Sequence, residues 1–385
     1  MRKVLAGFGS AALLVGLSGI PAEAATDVAV NTTLGNQTVA DDSSSIPGNP
    51  TQSLPSTVSS SIPDSATVVA KNLAVTTTGQ VKNLQTGANV TDPRLVGTVN
   101  KPADPLAKTD GRSFIPVSVA TVKKAVSESQ GGSVTNSSET SAHTTVRSAS
   151  FSGNEYGAYW GTYSGTPAFF ESDGTLFAQQ AKGVIDVSQW QGSIDWAKAK
   201  ADGVQGAIIR VSFGWGNGFD PYALRNISEC KRLGIPFGVY SYSYSYDSAT
   251  AALEGADLAS LLKQAGVSPS DLSYPVFYDL ENWTWTGHTR PSSPSVYDGI
   301  VNSWYSKLQA AGYTNLSVYS YSSYLSTALN SSNIHSKTRW VASYGSRTGF
   351  SYPTNDRGWQ YTSDGSINGI SGSVDLNAFG NKTFV

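Results

Sequence analysis

The apolar run Val276-Phe277-Tyr278-Asp279-Leu280-Glu281 ends in two acids spaced two residues apart. In a strand, alternate side chains share a face, so Asp279 and Glu281 point the same way with α-carbons ~6.6 Å apart. Two carboxyls of unequal reach on one wall match the needs of glycosidic cleavage. One acid protonates the leaving oxygen, while a second group stabilises the positive charge that develops at the anomeric carbon. The longer Glu281 suits the proton donor, its pKa raised by the carboxylate beside it. Asp279 is then expected to stay ionised and to steady an oxocarbenium-like centre or a participating N-acetyl group. Asp186, in Val184-Ile185-Asp186-Val187-Ser188, and Asp375, in Ser373-Val374-Asp375-Leu376, stand in further apolar runs and would orient the substrate or tune the pair. An Asp-x-Glu at a strand end also serves as a cap or ion-pair partner. The convergence of four acids is what turns the reading toward catalysis.

Aromatic residues fill out the same runs. Tyr240, Tyr242, Tyr244 and Tyr246 alternate with serines, and Trp340, Tyr344, Trp359 and Tyr361 follow near later strand ends. Flat rings stack on pyranose faces without charge, so Tyr242, Tyr244, Tyr321, Tyr344 and Trp359, with Gln360, are candidate substrate contacts. Tyr240 and Trp340, nearer the starts of their runs, read at least as well as core. Other chemistries find less support. A net charge of −2 advertises no basic face for nucleic acid or an anionic membrane. Cys230 is the only cysteine, so no intrachain disulfide can form, and it reads as a small buried hydrophobe. His143, His288 and His335 lack metal-ligand spacing, and neither Ser188 nor Ser243 has the His-Asp context of a nucleophile. Gly214-Trp215-Gly216-Asn217-Gly218 lacks the spacing of a phosphate loop and reads as a pliable connection.

For these side chains to share one pocket, the strand ends must meet. Candidate strands run Gly183 to Ser188, Ala207 to Phe213, Phe237 to Ser243, Pro275 to Glu281, Leu316 to Tyr321, Arg339 to Tyr344, Gly358 to Ser363 and Val374 to Phe379. Helical patterns follow the first five, at Ile194 to Asp202, Tyr222 to Leu233, Ala249 to Ala265, Ser295 to Ala311 and Ser322 to Asn330. Gly203, Gly234, Gly266 and Gly312 stand where helix ends want a glycine. Strand and helix in alternation imply parallel pairing with right-handed crossovers. Eight strands would close a barrel whose active face lies at their C-terminal ends. The last connections are too short for crossover helices. The expected fold class is therefore α/β, an irregular TIM-like (β/α)5(β)3 barrel over residues 181–385.

Upstream of the barrel, three segments differ in composition. Met1-Arg2-Lys3, the apolar Val4 to Ile20 and Ala22-Glu23-Ala24 read as a signal peptide over 1–24, which implies export and no membrane association after cleavage. Residues 25–150 are rich in Ser, Thr, Asn, Gly and Pro, and read as a low-complexity linker or pro-region, largely disordered. Within them, Phe114 to Lys124 has short apolar alternation that suits a strand or helix. Residues 151–180 carry Tyr156, Tyr159, Trp160, Tyr163, Phe169, Phe170 and Phe177 around Ser172-Asp173-Gly174. They read as a small β-hairpin packed on the barrel, ahead of a sugar-binding surface.

The barrel segment resembles glycoside hydrolase family 25 lysozymes. The resemblance rests on Asp186-Val187-Ser188-Gln189-Trp190-Gln191-Gly192-Ser193-Ile194-Asp195-Trp196, Tyr278-Asp279-Leu280-Glu281, Trp340-Val341-Ala342-Ser343-Tyr344, Trp359-Gln360-Tyr361-Thr362-Ser363 and Gly372-Ser373-Val374-Asp375-Leu376-Asn377, in that order. It implies an irregular barrel of eight strands and five helices. It also implies hydrolysis of the β-1,4 bond between N-acetylmuramic acid and N-acetylglucosamine without metal or organic cofactor. The proton donor would fall on Glu281, the second catalytic carboxylate on Asp279, and supporting acids on Asp186 and Asp375. The expected partner is the peptidoglycan glycan strand, met by a secreted monomer outside the cell or at its wall. A glucosaminidase, a chitinase-like enzyme and a non-catalytic wall-binding protein on a barrel scaffold are the alternatives. Reducing-end chemistry, activity on chitin and the effect of Glu281→Gln tell them apart.

Overall fold

The computed structural model describes residues 45–131 and 151–385. The expected signal peptide, and the parts of 25–150 on either side of 45–131, lie outside the described residues. Over 45–131 the expectation of disorder is overturned. Strands β1 (Thr67–Ala70), β2 (Leu73–Val75) and β3 (Val81–Asn83), the short helix α1 (Pro93–Val96), strand β4 (Val117–Ser118) and helix α2 (Val119–Gly131) make a small module. Its sheet runs β3-β2-β1-β4, antiparallel throughout. The apolar alternation at Phe114 to Lys124 becomes β4 and the start of α2. The core joins Ile46, Ile62, Val68, Leu84, Val119 and Val122, which are so scattered in sequence that no single window reads as apolar.

The second unit begins with β5 (Tyr159–Tyr163) and β6 (Thr166–Phe170), an antiparallel hairpin that pairs onto β7 (Leu176–Val187). Then follow α3 (Trp196–Ala201), β8 (Gly206–Phe213), α4 (Ala223–Leu233), β9 (Phe237–Tyr242), α5 (Ser248–Gln264), β10 (Val276–Asp279), α6 (Pro294–Ala310), β11 (Leu316–Tyr321), α7 (Ser322–Leu325), α8 (Ser332–His335), β12 (Thr338–Ala342), β13 (Asp356–Gly365) and β14 (Val374–Asn381). Strands β7 to β13 pair in parallel succession, and β14 runs antiparallel to both β13 and β7, closing an eight-stranded barrel. Helix α4 ends as its sequence anticipates: Gly234 adopts φ 63°, and its N–H bonds the carbonyls of Cys230 and Lys231.

The fifth helix is shorter than its pattern suggested. Past Leu325 the hydroxyls of Ser326 and Thr327 bond the Ser323 carbonyl, and Ser331 Oγ accepts from the Ile334 N–H. Side chains that compete for backbone groups break one long helix into two turns. The hairpin's rings are structural. Trp160, Phe169 and Phe177 are buried against Trp359 and Tyr361 on the outer face of β13.

Candidate active site

Strand parity delivers the acids to one end of the barrel. Asp186 lies one residue before the end of β7, Asp279 ends β10, and Asp375 in β14 lies directly opposite Asp186 in the ladder. Asp186, Asp279 and Glu281 line one cavity together with Arg210, Tyr240, Tyr242, Tyr319, Trp340 and Gln360. Asp186 Oδ2 accepts from Gln360 Nε2 at 2.9 Å and Asn377 Nδ2 at 2.8 Å, and Asp375 shares a hydrogen bond with Asp186. Asp279 Oδ1 is buried with no hydrogen-bond partner.

Electrostatics follow from that crowding. Burial and then the Asp186 charge push Glu281 up to about 8. Burial, followed by the Glu281 and Asp186 charges, raises Asp279 well above the usual carboxylate range. Asp375 rises for the same two reasons, burial and the Asp186 charge. Burial raises Asp186 too, although its amide donors pull it back. Four carboxyls in one dry site cannot all ionise. The expectation that Asp279 is ionised thus meets a closed site whose burial and neighbouring carboxyls disfavour its charged form.

The site is closed because the N-terminal module reaches across it. Pro105, Leu106 and Ser113 complete the cavity wall, leaving about 20 Å³ of space for water. The Ser113 hydroxyl donates to Asp375 Oδ2 at 2.6 Å. Arg210, in the middle of β8, bonds Asp104 at 2.6 Å and Asp220 at 2.8 Å, with its side chain only 1% exposed. Burial alone would raise the Asp104 pKa, but the Arg210 charge and the Trp190 and Leu106 donors bring it below its ordinary value.

Comparison with known proteins settles the lineage. The family model for glycosyl hydrolases family 25 matches residues 185–370. Lysozyme M1 of Streptomyces globisporus is 28% identical over 211 residues, covering 51% of this chain and 66% of that protein. The uncharacterized protein YegX of Escherichia coli O157:H7 is 30% identical over 204 residues, covering 51% of this chain and 68% of YegX. The chain belongs to glycosyl hydrolase family 25. The solved modular autolysin LytC of Streptococcus pneumoniae matches with a TM-score of 0.53 at 34% identity, over 57% of this chain and 52% of LytC. The chain thus spans about two thirds of the length of these curated relatives and about half of LytC.

Within this family 25 barrel, the aromatic candidates divide. Tyr242 lines the acid cavity, and Tyr244 lines an adjoining one with Glu281 and Trp283. The Tyr344 hydroxyl donates to Gln360 Oε1 at 2.7 Å, and that of Tyr321 accepts from the Asn282 N–H at 3.0 Å. Trp359 is a correction. It is fully buried against Phe169 and Phe177, with Nε1 bonded to the Ser343 carbonyl. Gln360, its neighbour in β13, points to Asp186, so alternation turns Trp359 to the hairpin side.

Sequence reasoning missed Arg210, although a lone cation inside the apolar run of residues 207–213 is a legible signal. It also missed Glu254 of α5, which binds the Tyr278 hydroxyl at 2.6 Å and the Tyr244 N–H at 2.7 Å and so braces the end of β10. Burial raises its pKa to about 6. His288 Nε2 pairs with the Val99 carbonyl, and His335 Nε2 with that of Leu325. Among the described residues no group of three His, Cys, Asp or Glu is placed to hold a metal ion, and no helix is long and apolar enough to cross a membrane.

Proposed function

We propose that this protein is an exported N-acetylmuramidase that hydrolyses the β-1,4 bond between N-acetylmuramic acid and N-acetylglucosamine in bacterial peptidoglycan. The observation that carries this reading is the meeting of Asp279 and Glu281 with Asp186 and Asp375 at the C-terminal mouth of a family 25 barrel. Relatives described as lysozyme and autolysin support it, as does a structure of LytC with a synthetic peptidoglycan ligand. The Met1 to Ala24 pattern supports export, hence action outside the cell or at its wall.

In this mechanism Glu281 gives its proton to the glycosidic oxygen as the bond from that oxygen to the anomeric carbon breaks. Asp279 serves as the ionised partner, its negative charge beside the developing positive centre, while Glu281 alone holds the proton that is given. Because both acids stand on one wall, neither reaches the opposite sugar face, which favours the substrate's own acetamido oxygen as the internal nucleophile. Water's oxygen then bonds to the anomeric carbon as the bond from that carbon to the acetamido oxygen breaks, and the water's proton passes to Glu281, restoring the acid. Asp186, held by Gln360 and Asn377, and Asp375 fix the field in which the pair titrates.

Reducing-end analysis of digested peptidoglycan tests the proposal. Borohydride reduction should convert new muramic acid ends, and ends of N-acetylglucosamine would mark a glucosaminidase instead.

A further inference from the structure

We propose that residues 97–116 are an intramolecular inhibitor: a strap that occupies the catalytic groove and keeps the full chain latent until it is displaced. This rests on the hydrolase reading for what is inhibited, but the occlusion itself is a matter of geometry.

The strap is anchored along its length by barrel loops from several strands. After β10, Trp285 Nε1 bonds the Thr98 carbonyl at 2.6 Å, and the Thr286 hydroxyl bonds that of Gly97 at 3.0 Å. After β9, the Tyr244 hydroxyl bonds the Ala103 carbonyl. After β7, Gln189 and Trp190 hold the Asp104 carboxylate at 2.7 and 2.8 Å, beside the Arg210 pair. Gly111 sits so close to Trp190 that an added Cβ would lie 2.5 Å from the Trp190 Cβ. At the far side Arg112 pairs with Asp364 and with Ser373 Oγ, and Ser113 bonds the catalytic-site Asp375.

What remains beneath is about 20 Å³. A site of that size holds about one water, whereas small-molecule sites run to roughly 300 Å³ or more. A pyranose ring and the strap therefore compete for the same place. The strap's polar anchors also satisfy Arg210, Trp190 and Asp375, groups that face the groove. Lys108, half-buried at this seam, has its pKa lowered to about 8 by the loss of water around it.

The test uses the full chain. The ideal Cβ of Gly287 lies 3.8 Å from the Val99 Cβ, the separation a disulfide needs. Val99→Cys with Gly287→Cys can therefore lock the strap reversibly. The native Cys230 is buried with its thiol pKa raised, and does not compete. Two measurements are made on the oxidised and reduced protein. One is the rate on soluble uncross-linked glycan strands, and the other is calorimetric binding of an N-acetylglucosamine tetramer to the same protein carrying Glu281→Gln. Reduction should raise rate and affinity about tenfold or more, because occupancy of the closed state divides the apparent affinity. Asp104→Ala with Gly111→Ala, in the chain without added cysteines, should raise both above wild type and answers the question if the disulfide pair does not fold.

Binding that improves on reduction while no form hydrolyses glycan would uphold the strap and overturn the hydrolase reading. Affinities equal in oxidised and reduced protein, absence of binding in both included, overturn the strap as inhibitor. Weaker binding by the Asp104→Ala, Gly111→Ala protein would do the same, showing the segment to be part of the glycan surface.

Discussion

The barrel buries Trp196, Trp304, Trp340 and Trp359 with ranks of tyrosine and phenylalanine, whereas the core of the 45–131 module holds only aliphatic side chains, with Phe114 half-buried at its edge. Each large ring removes 150–250 Å² from water, so the barrel has reserves of apolar burial that the module lacks. The module makes up the difference with polar anchors to its neighbour, among them Asp104 to Arg210 and Arg112 to Asp364. Two parts of one chain thus differ in what holds them. One is bound by its own interior, and the other by its contacts with the first. The part with fewer buried contacts is the one expected to open locally.

Several substitutions break or sharpen this contrast. The largest effect belongs to Glu281→Gln, which should lower the rate on peptidoglycan about 10²- to 10⁴-fold, the usual worth of a positioned acid, while leaving the fold intact by circular dichroism. Trp304→Ala removes a fully buried ring that stacks on Tyr278 at 4.5 Å. A loss of about 3–5 kcal/mol is expected, read as a fall in the barrel's Tm by calorimetry. Ile62→Ala, in the module, should cost about 2–5 kcal/mol locally. It should raise the glycan rate by freeing the strap without moving the barrel transition, and a barrel Tm that fell equally would show the two units to be one.

A pH series tests the acid quartet. Glu281 is raised by burial and the Asp186 charge from its ordinary 4.5 to about 8, so between those values the native state binds a proton that the unfolded chain has lost. Stability from this group is present below pH 4.5 and lost as pH rises through about 8. Tm should fall from mildly acid to alkaline pH, and Glu281→Gln should flatten that fall. The smallest effect is reserved for Lys124→Ala, which touches only an exposed pair with Glu128 on α2. About 0.3 kcal/mol or less is expected, within the error of a denaturant titration.

The barrel was readable because its signals are local. Apolar runs of strand length, glycines at helix ends and acids closing the runs all lie within a few residues of each other. The strap was not, because what orders it is distant: Asp104 meets Arg210, and Ser113 meets Asp375, across more than a hundred residues. The module hid for a related reason. Its polar turns are ordered by side chains such as Asn83, whose Oδ1 accepts from the Gln85 and Thr86 N–H groups, and composition alone counts those residues as disorder-prone. Trp359 was misplaced because a tryptophan beside Gln360 carries no mark of which face it takes until the register of β13 is known.

The pairing of β14 with β7 has a bearing on synthesis. These strands are some two hundred residues apart, yet their contact sets Asp375 against Asp186 and joins the two ends of the sheet. A nascent chain that has not released Val374–Asn381 has two open sheet edges and only part of its acid quartet. Such long-range closure is a slow step in folding. The four acids therefore cannot stand together before Val374–Asn381 has been made and has docked, so the pocket is a late product of folding and not an early one.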